Sequence, residues 1–153
     1  MTQPDIAPTY LEPSQEGGAA LMSRHIKGEI VMLNLLKFRE VADYSPFPGL
    51  APKGTLSGRA AYERYIQHTL PHLHASGGEL MFLGRGGHFL IGPPHERWDA
   101  AMLVRQASVQ DFMAFARNEA YLQGIGHRTA ALEDSRVLPL VPQTLPAVQG
   151  NGY

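Results

Sequence analysis

Cysteine is absent from the 153 residues. That excludes disulfides, thiolate nucleophiles and cysteine-based metal sites. Charge is scarce as well: charged residues make up 18% of the chain, and the net charge is −1 with histidine neutral. A chain so balanced has no electrostatic footprint for nucleic acid or for an anionic membrane surface, and neither is expected as a partner. No apolar run reaches the roughly 18 residues that a membrane-spanning helix requires. The opening stretch MTQPDIAPTYLEPSQEGG lacks a basic region followed by an apolar one, so it does not read as a secretory signal, and a cytoplasmic protein is expected. There is no G-x-S-x-G, no Walker loop and no internal repeat. The glycine run at 84–87 (GRGG) lacks both the spacing and the following helix of a dinucleotide-binding fingerprint.

What is present is an ordinary globular composition, 44% hydrophobic, in a chain long enough for one domain with a real core. The most apolar stretch is IVMLNLLKF, from Ile30 to Phe38, and it reads as a strand. It is apolar on both parities: Val31, Leu33 and Leu35 on one face, Met32, Leu36 and Phe38 on the other. Before it, Pro13 and Glu16 suit the start of a helix over residues 13–26, which Gly17 and Gly18 weaken. After it, residues 41–56 are rich in proline and glycine and have the length of a lid or a binding loop. Ser57 then caps a helix whose apolar stripe runs through Tyr62, Tyr65, Ile66, Thr69, Leu70 and Leu73. Pro71 predicts a kink or an early end, and Gly77-Gly78 a stop.

ELMFLGRGGHFLIG predicts a second strand with a bulge or bend at its glycines. WDAAMLVRQ predicts a third strand. Ser108 with Asp111 resembles a capping box for an imperfect helix through Tyr121 to Leu132, weakened by Asn118, Gly124 and Gly126. SRVLPLV predicts a last strand, with Pro139 pointing to an edge or an end. The order is a helix and then β-α-β-β-α-β. An α+β ferredoxin-like sandwich satisfies it, two helices covering one face of a four-stranded antiparallel sheet. Helices on one face leave the other face of the first strand bare. A second copy of the same sheet is the cheapest cover, which predicts a homodimer through the open sheet face.

The segments VMLNLLKFRE, GRAAYERY, GGELMFLGRGG, ERWDAAMLVR, SVQDFMAFARNEAYL and HRTAALEDSRVLPL together resemble a bacterial family of domains of unknown function in the dimeric α/β-barrel superfamily. The resemblance covers roughly residues 28–140. It implies that two ferredoxin-like subunits pack sheet against sheet into a barrel. Relatives in that superfamily include small monooxygenases, muconolactone isomerase-like enzymes, haem-dependent enzymes and plain ligand binders, so the fold does not choose a chemistry. The division expected is an N-terminal arm and helix over residues 1–27, the ferredoxin-like domain over 28–141 and a C-terminal tail over 142–153.

The site residues are read against plainer alternatives. Asn34 is an amide inside a buried strand. It is tied either to a neighbouring protein group or to a ligand oxygen that it orients. Lys37 and Arg39 follow on the opposite parity; they are either a solvated strand end or a carboxylate-binding pair. Trp98, the sole tryptophan, is core at a barrel end or a stacking surface. Arg85 sits among glycines where a ligand can approach closely. Tyr62 and Tyr121 are core rings whose hydroxyls can line a pocket. His127 is the histidine best suited to acid–base work, with Arg128 beside it to hold a carboxylate.

His68 and His72 have a chelating spacing, but Pro71 lies between them and no carboxylate accompanies them. Haem would require an axial histidine such as His88 or His127, and nothing singles either out. No metal and no cofactor is therefore expected. The functional expectation is a small cofactor-independent enzyme of isomerase, decarboxylase or monooxygenase-like character acting on a small apolar or aromatic acid. The alternative is a non-catalytic dimer that binds a small metabolite.

Overall fold

A computed structural model describes residues 7–147. The first six residues of the expected arm and the last six of the expected tail lie outside the described residues. The first helix, α1 (Gln15–Ser23), is capped by Ser14, whose hydroxyl accepts the Gly17 N–H at 2.9 Å. It ends three residues short of the expected 26, and His25, at φ 48°, turns the chain toward the sheet. β1 spans Ile30–Phe38, the nine residues that the apolar run predicts.

The proline-rich stretch that follows is not a free lid. Ala42 N–H pairs with Leu56 C=O, Asp43 N–H with Ala130 C=O, and Pro48–Leu50 form one 3-10 turn. Tyr44, Leu50 and Leu56 all join the core.

α2 spans Gly58–Ala75, with Ser57 as its cap. It runs through Pro71 without the early end expected there. The missing N–H falls near the C-terminus, where one lost hydrogen bond is tolerated, and the last turn is closed elsewhere. Gly78 N–H bonds Leu73 C=O and Gly77 N–H bonds His74 C=O, with Gly77 at φ 85°. This pair of bonds is the Schellman arrangement.

β2 (Glu79–His88) and β3 (Arg97–Gln106) form the central hairpin. The register shift expected at the glycines falls instead between Leu80 and Phe82. The glycines stay paired, Gly84 opposite Ala101 and Gly87 opposite Trp98. Gly86 is there for space: a Cβ would lie 2.4 Å from the Trp98 carbonyl oxygen.

The second helical segment is divided into α3 (Val109–Ala116), α4 (Glu119–Leu122) and α5 (Ile125–Ala131). Asn118 ends one piece and caps the next, its side chain accepting the Tyr121 N–H at 3.0 Å. β4 (Leu132–Leu140) starts three residues before the expected Ser135. The sheet is antiparallel in the order β2-β3-β1-β4, which makes the chain a ferredoxin-like α+β fold with β4 and its Pro139 on an edge.

The two faces of β1 differ. Ile30, Met32, Leu36 and Phe38 are buried, and they divide into two clusters. Leu36 and Phe38 pack with Tyr62, Tyr65, Tyr121 and Leu132. Ile30 and Met32 pack with Val109, Phe112 and the two N-terminal residues Leu21 and Ile26. On the opposite face the register aligns Phe82, Leu103, Leu33 and Leu138 in one row across all four strands. Phe82 is 57% exposed and Leu138 54%, because no helix covers this face.

The N-terminal addition guards the outer edge of β4. Tyr10 N–H donates to Asp134 Oδ1 at 2.8 Å, and Ser135 Oγ donates to Tyr10 C=O at 2.6 Å. Arg24 Nη1 donates to Pro139 C=O at 2.8 Å, where the proline itself offers no N–H.

Leu36 is 0% exposed at the centre of the larger cluster. Leu36→Ala is expected to cost about 2–5 kcal/mol of unfolding free energy, read from urea denaturation midpoints.

Candidate functional site

On the helix–sheet side there is an opening between α2 and the β2 edge. A cleft of about 220 Å³ there is lined by Phe38, Arg59, Tyr62, Glu63, Ile66, Leu83, Gly84, Arg85 and Ala100. α2 supplies Arg59, Tyr62, Glu63 and Ile66, which share one helical face by their spacing of three, four and seven residues. Gly84 lines the cleft with backbone only; a Cβ there would point to the other face of the sheet, 2.6 Å from the Phe82 ring.

The Arg59 guanidinium sits over the Phe38 ring, 4.9 Å from its centroid, and donates one N–H to Asp99 C=O at 3.2 Å. Its remaining donors are uncommitted among the described residues. The Arg85 side chain makes no ion pair or hydrogen bond among the described residues. Two cations and Glu63 therefore border an otherwise apolar cavity.

Behind Tyr62 lies an aromatic cluster. Tyr62 and Tyr65 have ring centroids 5.2 Å apart, and the Tyr65 and Tyr121 hydroxyls are 2.6 Å apart. The Arg128 guanidinium lies beside the Tyr62 and Tyr121 hydroxyls, and it also donates to Leu11 C=O and to Ser135 Oγ. Burial, and then the neighbouring Tyr65, hold both hydroxyls far above the ordinary phenol range, so each stays protonated at neutral pH.

A separate polar pair stands where the proline-rich loop meets α5. The Tyr44 hydroxyl and Nδ1 of His127 are hydrogen-bonded at 2.7 Å. Burial, then the nearby Arg64 and His68, hold the His127 pKa below its ordinary value, so the imidazole is neutral around pH 7. His68 is itself occupied, its Nε2–H donating to Ala120 C=O at 2.8 Å.

Of the residues singled out from sequence, Tyr62 and Arg85 meet in the cleft, and Tyr121 and Arg128 lie behind its floor. The others stand apart. Asn34 lies between the two core clusters of β1, where Nδ2–H donates to Met32 C=O at 3.1 Å. Lys37 points away from the cleft and pairs with Glu133 at 3.7 Å. Arg39 is exposed, and its backbone bridges Ala131 and Gly58. Trp98 lines a second cavity and bonds Glu96 at 3.2 Å. Arg59 was missed, although the 59, 62, 63, 66 spacing was legible in GRAAYERYI. Among the described residues, no group of three or more histidine, aspartate or glutamate side chains is placed to hold a metal ion, and no helix is long and apolar enough to cross a membrane.

No family model and no curated protein matches the chain. Solved structures do. The RPA0582 protein of unknown function from Rhodopseudomonas palustris is 30% identical with a TM-score of 0.78, over 90% of this chain and 100% of that one. The methylated RPA0582 protein gives 31% identity and a TM-score of 0.77, over 89% and 96%. A dimeric protein of unknown function and ferredoxin-like fold from Bacteroides fragilis is 12% identical with a TM-score of 0.43, over 72% of this chain and 93% of that one.

A histidine whose folded pKa is depressed stabilises the fold most at high pH. That stability declines as pH falls below the unfolded value of about 6.5 toward the folded one. Wild type is therefore expected to lose more stability than His127→Gln between pH 7 and pH 5, read as the difference in urea midpoints at each pH.

Proposed function

The chain belongs to the same family as RPA0582 of Rhodopseudomonas palustris, and from that premise we propose a homodimer that binds a small aromatic or apolar carboxylic acid in the cleft between α2 and β2. The observation that carries the reading is the pairing of Arg59 and Arg85 across an apolar cavity. Phe38, Ile66, Leu83 and Ala100 offer walls for a ring or a short aliphatic chain. A guanidinium fork suits a carboxylate, and a partly desolvated site strengthens that contact. The Tyr62 ring closes the floor of the cleft, its hydroxyl turned to Arg128 behind it. A volume of about 220 Å³ is small for a ligand site and favours a single ring over a larger metabolite.

The dimer rests on the bare sheet face. Its row of Phe82, Leu103, Leu33 and Leu138 is an apolar stripe of the kind monomers seldom leave exposed. The charges at its margins are already neutralised within the chain: Arg105 faces Glu29 and Glu79, Lys37 faces Glu133, and Arg136 faces Asp134. Two identical copies can then meet without like-charge repulsion.

Turnover of the bound acid without a cofactor is a second reading. It draws on His127, a neutral imidazole hydrogen-bonded to Tyr44 and so able to act as a proton acceptor. His127→Ala would then abolish turnover while leaving binding intact.

Thermal unfolding with benzoate and phenylacetate tests the binding reading. A ligand at 100 times its dissociation constant adds about 2.7 kcal/mol of stability. Both acids are expected to raise Tm, benzyl alcohol is not, and Arg59→Ala with Arg85→Ala is expected to remove the shift. No shift with either acid at millimolar concentration, or an undiminished shift in the double variant, rejects the assignment.

A further inference from the structure

The turn between β2 and β3 presents three consecutive apolar side chains. Leu90 is 99% exposed, Ile91 91%, and Phe89 partly so. Isolated exposed leucines are ordinary, but an aliphatic pair standing in water at a hairpin tip signals a contact surface.

Beside the tip is a second cavity of about 180 Å³, lined among others by Leu35, Gly86, Gly87, Phe89, Trp98 and Ala101. Leu35 and Ala101 are in register and belong to the uncovered sheet face. The cavity is built by small residues. Gly86 and Gly87 bring no side chain, and Gly86 has no room for one. Its aromatic wall is held in place. The Arg136 guanidinium lies over the Trp98 ring at 5.0 Å and over the Tyr10 ring at 4.9 Å, and it pairs with Asp134 at 2.7 Å.

We propose that Leu90 and Ile91 of each protomer fill the Trp98 cavity of the other, so that the two hairpin tips are exchanged contacts of the homodimer. This rests on the homodimer reading given above and specifies how it is built. The occupant is a second copy for two reasons. Knob and hole are carried by the same hairpin, so one two-fold axis satisfies both at once, the self-complementarity that a closed dimer demands. The cavity also continues the Phe82–Leu103–Leu33–Leu138 row through Leu35 and Ala101, on a face whose charges are paired within each chain. Leu90 and Ile91 bring no polar side-chain group that burial would leave unpaired.

The absence of cysteine makes the test clean. Leu90→Cys and Ala101→Cys are prepared as separate single-site proteins, mixed, oxidised and run on a non-reducing gel. A disulfide joining position 90 of one protomer to position 101 of the other is expected in the mixture, and neither protein alone can form it. In parallel, sedimentation compares wild type with a chain carrying Leu90→Asp and Ile91→Asp, both fully in solvent and so harmless to the protomer fold. The expected result is a wild-type dimer whose dissociation constant rises at least tenfold in the variant. A wild-type dimer with an unchanged constant in the variant and no mixed disulfide overturns the hairpin exchange and leaves the homodimer standing. A wild type that is monomeric at 100 µM overturns both.

Discussion

The structure depends on one strand that is hydrophobic on both sides. β1 pairs with β3 on one edge and β4 on the other, so it is the element that holds the sheet together. Its even positions other than Asn34 are buried by the helices of the same chain, and its odd positions are not. Everything described above follows from this division. The helix face closes into two clusters, the open face presents a row of uncovered side chains, and the cleft beside α2 lies where helix and sheet part company. Because side chains alternate across a strand, the imbalance cannot be relieved by shifting the register: a one-residue slip would exchange the faces without reducing the exposed area.

Asn34 marks the boundary within the covered face. Its amide sits between Met32, which packs with the α1 and α3 side, and Leu36, which packs with the α2 and α5 side. Its hydrogen bond is to its own strand, so the amide is partnered without reaching toward a ligand. Beside this seam Val104 touches both clusters, and α3 spans it, with Val109 in one and Phe115 in the other.

Strand β1, the Ser57 cap, the glycine stop after α2 and the ferredoxin-like order were legible because each rests on local chemistry: period, capping and turn residues. The features that differed from expectation rest on tertiary context. Pro71 is tolerated because of where the helix ends. The bulge falls at Met81, and the glycines stay in the ladder, where Gly86 lies too close to the Trp98 carbonyl for a side chain. The second helical stretch breaks into pieces because Asn118 and Gly124 serve as caps. The site was partly legible. Tyr62 and Arg85 were picked out as a polar ring and as a cation among glycines, and both reach the cleft. Arg59 was hidden because a single arginine in a first helical turn is usually solvated surface. His127 and Asn34 are near the core but outside the cleft, a distinction that depends on how the loop and α5 pack and not on either residue's neighbours in sequence.

The two edges of the sheet are treated unequally. Beside β4 stand Tyr10, bonded to the Asp134 and Ser135 side chains, and Arg24, bonded to the Pro139 C=O, while β2 ends in glycines. An unguarded pair of edges would let one sheet continue into the next, head to tail, without limit. With one side blocked, edge-to-edge growth has nothing to propagate onto. The N-terminal segment thus has two roles: it stands beside the β4 edge, and through Leu11, Leu21 and Ile26 it adds to both halves of the core.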